Sequence, residues 1–175
     1  MQVPAKRKNR SATIGDDPAG SLDRAVTAEL PGRRGLPAWS SLLRAQASLL
    51  RQLELDLVKE TGFALADFDV LAQLAIAGGQ LRMTDLAARA LISRSGMTRR
   101  VARLAGDDLV RRASADSDAR GVLVRLTEDG LARLLEVAPV HARGVRRLFV
   151  DRLDDRELDV LQDALEKVII DCNFG

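Results

Sequence analysis

The chain has 175 residues, 46% of them hydrophobic but only 3% aromatic, so a packed core must come from leucine, valine and alanine, and a wholly disordered chain is excluded. With 27 Lys and Arg against 25 Asp and Glu, a net charge of +2 excludes a generally basic domain; a nucleic-acid partner would have to be met by a local patch. The one cysteine, Cys172, excludes an intrachain disulfide and fits a reducing cytoplasm, and no apolar run approaches the length of a membrane span.

Residues 1–35 carry Pro4, Pro18, Pro31 and the run Lys6-Arg7-Lys8-Asn9-Arg10 with weak apolar periodicity. They are expected to form a flexible basic tail, with a short helix near 22–30. A long helix is expected from Pro37, suited to a first helical position, to Thr61, with Gly62 as its stop. Leu42, Leu43, Leu49, Leu50, Leu53 and Leu57 recur along it at helical spacing.

A second helix is predicted over 67–77, with Phe68, Leu71, Leu74 and Ala75 inward, ending at Gly78-Gly79. Gln80 to Met83 reads as a short extended piece. Thr84 is expected to cap a third helix that turns Leu86, Ala87 and Leu91 inward. Ser93 then caps a fourth, in which Met97, Val101 and Leu104 fall at i, i+4, i+7 on one apolar face. So tight a connection between two short helices makes a helix-turn-helix.

The other faces of the Ser93 helix carry Arg94, Arg99, Arg100 and Arg103, and no acid interrupts positions 93–103. A hairpin follows: Leu109 to Ala113, a loop of Ser, Asp and Gly, then Val122 to Leu126 in alternation. A cationic helix followed by a small hairpin outlines a winged helix-turn-helix, which places its helix in the DNA major groove.

Thr127 is expected to cap a long helix with Glu128 and Asp129 in its first turn, Pro139 inside it as a kink, and a stripe of Leu131, Leu134, Leu135, Ala138, Ala142, Val145, Leu148 and Phe149. Asp154 and Glu157 have the spacing of a capping box at the head of the last helix, whose inward face is Leu158, Leu161, Leu165, Val168 and Ile169. The fold class is therefore mainly α with a small β-hairpin. The division expected is a tail (1–35), an N-terminal dimerisation helix (36–63), a winged helix-turn-helix (64–130) and C-terminal dimerisation helices (131–175). Leucine stripes at both chain ends leave apolar surface that a two-fold homodimer would cover.

The candidate DNA-binding residues are Ser93, Arg94, Ser95, Thr98, Arg99 and Arg103 on the helix, and Arg120 in the hairpin loop, with Asp118 supporting the wing. Arginine can fork onto guanine O6 and N7, and Ser or Thr can bond bases or phosphates. Arg120 suits a minor groove, and Asp118 can hold it extended. His141, the only histidine, cannot form a tetrahedral metal site with one distant cysteine. No nucleophile–base pair and no phosphate-cradling glycine loop is visible, so no cofactor, no metal and no enzymatic role is expected.

From Trp39 onward the chain resembles the multiple-antibiotic-resistance-regulator (MarR) family of bacterial transcription factors. The resemblance is carried by Asp118-Ala119-Arg120-Gly121-Val122-Leu123-Val124-Arg125-Leu126-Thr127-Glu128-Asp129-Gly130, similar to the family's wing, and by Ser93-Arg94-Ser95-Gly96-Met97-Thr98-Arg99, similar to the start of its recognition helix. It implies winged helix-turn-helix lobes joined by terminal helices into a dimer, double-stranded DNA with a partly palindromic operator as partner, and repression released by a small lipophilic or phenolic effector. Ala119 stands where the family often has a basic residue, and Asp108 where it usually has Gly; Asp tolerates left-handed backbone better than most residues, so the turn is expected to survive. The alternatives are a protein-interaction module on a winged-helix fold, or a small-molecule sensor whose DNA affinity is incidental.

Overall fold

The computed structural model describes residues 17–30, 34–114 and 122–171. The chain divides into two compact units, residues 1–46 and 47–175. In the first lies α1 (Pro18–Glu29), whose N-cap Asp17 accepts from the Gly20 backbone N–H at 2.8 Å, with Pro18 at the first helical position. This helix begins four residues before the expected 22–30, because the Asp17-Pro18 pair is itself a start signal. The long helix α2 (Gly35–Thr61) starts there too, two residues ahead of Pro37, and ends in the second unit at Gly62, which has φ +68°.

The second unit continues with α3 (Leu65–Ile76), β1 (Gln80–Arg82), α4 (Met83–Arg89), α5 (Arg94–Gly106), β2 (Val110–Ser114), β3 (Val122–Leu126), α6 (Glu128–Leu148), a single 3-10 turn (Val150–Arg152) and α7 (Asp155–Asp171). The hairpin is extended to a three-stranded antiparallel sheet of order β1-β3-β2, in which Leu81 faces Val124 and Val124 faces Arg112. Leu57, Val70, Leu71, Leu74, Leu86, Met97, Val101, Val124 and Val137 are fully buried and join α2, α3, α4, α5, β3 and α6 in one core. At about 1.5–3 kcal/mol for each large apolar side chain removed from water, this core stabilises the lobe.

Three local expectations change. Thr84 does not cap α4: Arg82 is the N-cap, because β1 pairs with β3 up to Arg82 and the chain passes from strand to helix without a free residue. The Thr84 hydroxyl instead donates to Asp85 Oδ1 at 3.2 Å. Leu91 is not inward: it is 69% exposed and left-handed at φ 53°, where the chain reverses between α4 and α5. On α6 the buried face is Gly130, Leu134, Val137, Val140 and Gly144, while Leu131 and Leu135 of the expected stripe are exposed. The helix carries two apolar stripes, and packing against α2 and α3 selects the one with valines and glycines. Pro139 lies inside α6, which is assigned as one continuous helix across it.

The C-terminal half of α2 and α6 are further joined by polar groups. Arg143 pairs with Glu60 at 2.8 Å, Arg147 with Asp56 at 2.6 Å, and the Arg133 guanidinium lies 5.1 Å from the centre of the Phe63 ring. Asp154 and Glu157 form the expected reciprocal capping box at 3.0 and 2.8 Å. Helix α7 has no buried residue among those described; Val160, Val168 and Ile169 are exposed.

Candidate nucleic-acid interface

Helix α5 begins where the sequence places it. Ser93 leaves the extended region and its hydroxyl accepts from the Gly96 backbone N–H at 3.2 Å, satisfying one of the orphan donors of the first turn. Met97, Val101 and Leu104 are buried to 1% exposure or less, so the rotation of the helix about its axis is set by the core. The consequence is a surface of Arg94, Ser95, Thr98 and Arg99, all exposed, in two i, i+4 pairs on neighbouring ridges. The Thr98 hydroxyl donates to the Arg94 carbonyl at 2.9 Å, which leaves its oxygen as an acceptor for a base amino group. Ser95 and Ser93 hydroxyls lie 3.4 Å apart. The helix has no acidic residue in its first turn, and its N-terminus adds the positive end of the backbone dipole.

Arg103 is placed differently from the quartet. Its Nη2 donates to both carboxylate oxygens of Asp67 on α3 at 2.6 Å, and Arg100 Nη1 donates to Asp67 Oδ1 at 2.7 Å. Asp67, a first-turn residue of α3, is buried beside Phe68 and Leu71. The sequence reading missed this pairing; its signal was an acid, one of two with Asp69, in a helix of 12 residues that is otherwise apolar except for Gln73.

Behind α5 the sheet supplies the frame. Arg112 on β2 donates to the Thr98 carbonyl at 3.3 Å, a tie between sheet and helix that spacing alone did not suggest. On the opposite face Gln80, Arg125 and Arg111 form one cross-strand row, and Arg125 Nε donates to Gln80 Oε1 at 3.1 Å. Asp108 adopts the left-handed conformation expected of it, at φ 56°. Its carbonyl accepts from the Thr127 hydroxyl at 2.7 Å, and the same hydroxyl caps α6 by accepting from Gly130 N–H at 2.9 Å. The proposed wing residues Asp118 and Arg120, and Cys172, lie outside the described residues.

Two ionisable groups sit where α3 meets α6. Burial pushes the His141 imidazole below its ordinary pKa, with Asp69 pulling it back up. Burial likewise raises the Asp69 carboxyl, against the pull of His141 and Arg100. The His141 ring lies 4.5 Å from that of Phe68, and its Nδ1 is buried without a hydrogen-bond partner among the described residues. No group of three or more His, Cys, Asp or Glu that could hold a metal occurs among the described residues.

The MarR family model matches residues 61–121, from the end of α2 to the residue before β3. AbsC, a MarR family transcriptional regulator from Streptomyces coelicolor, is similar at 33% identity over 83% of this chain and 99% of its own, with a TM-score of 0.75. The chain belongs to the MarR family. Sco3205, a MarR family transcriptional regulator from the same organism solved in complex with DNA, is 31% identical over 82% of this chain and 91% of its own, with a TM-score of 0.76. A MarR variant from E. coli solved with operator DNA is 25% identical over 75% of this chain and 93% of its own, with a TM-score of 0.67. No curated protein sequence matches. As a MarR-family fold, the chain has its helix-turn-helix in α4 and α5 and the stem of its wing in β2 and β3. None of the described helices is long and apolar enough to cross a membrane.

Proposed function

We propose that this chain is a cytoplasmic, sequence-specific DNA-binding transcriptional regulator and not an enzyme, with α5 as its major-groove helix. It acts as a homodimeric repressor on a partly palindromic operator and is released by a small lipophilic or phenolic effector. The observation that carries this reading is the quartet Arg94, Ser95, Thr98 and Arg99: exposed, free of acidic neighbours in the helix, and held in one orientation by a fully buried opposite face. Relatives solved with DNA support it. The dimer is supported by apolar side chains that this chain leaves uncovered: Trp39, Leu42 and Leu43 on α2, and Val160, Val168 and Ile169 on α7. Residues 36–63 and 131–175 are accordingly the dimerisation segments, and 64–130 the reading lobe, with Asp118 and Arg120 at the wing.

The test is selection of genomic fragments by the purified full chain, followed by titration of the selected operator. Arg99→Ala should weaken binding by about 1–3 kcal/mol and relax discrimination at one base position. A wild-type protein that binds selected and scrambled duplexes equally would remove the reading.

A further inference from the structure

Four arginines lie within ten residues of α5, at 94, 99, 100 and 103. A helix presenting all four to a duplex would bind any sequence, because phosphates are the same everywhere and attract cations regardless of the bases between them. The structure divides the four. Arg100 and Arg103 are one turn apart on α5, and both guanidinium groups end on the single carboxylate of Asp67, whose side chain is 9% exposed. Hydrogen bonds of 2.6 and 2.7 Å between a guanidinium and a carboxylate are charge-assisted and among the stronger polar contacts.

We propose that Asp67 is a positioning residue for DNA discrimination: it holds the guanidinium groups of Arg100, largely covered, and of Arg103, whose side chain stays 57% exposed, offsets part of their charge, and leaves Arg94 and Arg99 as the guanidinium groups without that tie that meet the duplex. The proposal rests on the DNA-binding reading above, and it removes Arg103 from the expected DNA contacts. It also assigns a geometric role. Met97, Val101 and Leu104 hold the helix against the core, and the clamp to α3 fixes the rotation of its C-terminal half. One residue along an α-helix turns the side chain by about 100°, so a small rotation would carry the reading ridge away from the base edges.

The experiment uses the full chain, its selected operator, and a random-sequence duplex of equal length, titrated across a salt series. Asp67→Asn should bind the random duplex more tightly. Its salt slope should steepen by about 2 per dimer, because the lost carboxylate uncovers one net positive charge in each of two subunits at about 0.9 per phosphate neutralised. Its preference for operator over random duplex should fall by about tenfold or more. Asp67→Glu, which retains the charge, should recover much of that preference. A purely structural role would weaken both duplexes together, so unchanged or weaker random-duplex binding with the preference intact overturns the clamp. If Asp67→Asn does not fold, Arg100→Met decides. Its salt slope should fall by less than that of Arg99→Met, because Asp67 already offsets one of the two charges it holds, and a slope lowered as far as that of Arg99→Met overturns the proposal. Failure of the DNA-binding reading itself is distinct, since it appears in the wild type as absence of any operator preference.

Discussion

Replacing Gly130 by alanine tests whether the junction between wing and terminal helix is as tight as the geometry makes it. Gly130 is buried in the first turn of α6, and an added Cβ would stand far inside van der Waals distance of the Leu109 carbonyl oxygen. It would also lie 2.9 Å from the Leu109 carbonyl carbon and from Leu126 Cδ1. Backbone is the obstacle, so no side-chain rotation relieves the clash. Either α6 shifts from β2, or the Leu109 carbonyl moves and gives up the bond it accepts from Thr127 N–H at 3.2 Å. Overpacking of this kind costs about 1–3 kcal/mol, and loss of one buried hydrogen bond adds about 1 kcal/mol. The gain in helix propensity from Gly to Ala is at most about 1 kcal/mol. The net expectation is a loss of about 1–3 kcal/mol. In urea, with a slope of about 2 kcal/mol per molar, the midpoint should drop by about 0.5–1.5 M. Gly106→Ala is the control: it is helical, nothing lies within 4 Å of its added Cβ, and the midpoint should stay or rise. Gly130→Ala within about 0.5 kcal/mol of wild type, with Gly106→Ala behaving as stated, would refute the reasoning.

Leu91 is left-handed and 69% exposed, so Leu91→Asn should raise the unfolding midpoint by about 0.5–1 kcal/mol equivalent, and a loss would mean that its side chain is covered in solution. For His141, burial lowers the folded-state pKa below the unfolded one. The unfolded chain therefore binds the extra proton, and stability falls as pH drops from the ordinary histidine range through the folded pKa. Denaturation between about pH 7.5 and 5.5 should show a smaller acid loss in His141→Gln than in wild type; equal losses would contradict the shift. Asp69, raised by burial, works in the opposite sense, gaining stability as pH falls toward the ordinary Asp range, so the comparison is made above that range. Arg120→Ala should lower the salt slope of operator binding by up to about 2 per dimer, and an unchanged slope with a folded dimer would remove the wing from the interface.

What was legible in the sequence is what neighbours along the chain decide. Ser93, Thr127 and the Asp154–Glu157 pair cap the helices they were expected to cap, because a cap is a bond to a backbone group within three residues. The buried face of α5 and the span of β3 followed from hydrophobic period alone, and Asp108 adopts the left-handed turn its side chain tolerates. The expected reading quartet is exposed because its helix has only one apolar face to bury. Tertiary structure decided the rest. Thr84 lost its capping place to Arg82 because β1 pairs with a strand more than 40 residues later. α6 offered two apolar stripes, and only the position of α2 and α3 shows which one the lobe covers. Nothing local in the sequence competes for the Arg103 guanidinium; its ion-pair partner, Asp67, lies 36 residues away and reaches it only when α3 and α5 pack. A periodic pattern determines which side of a helix is apolar, whereas the pairing of a buried charge depends on which distant elements the core brings together.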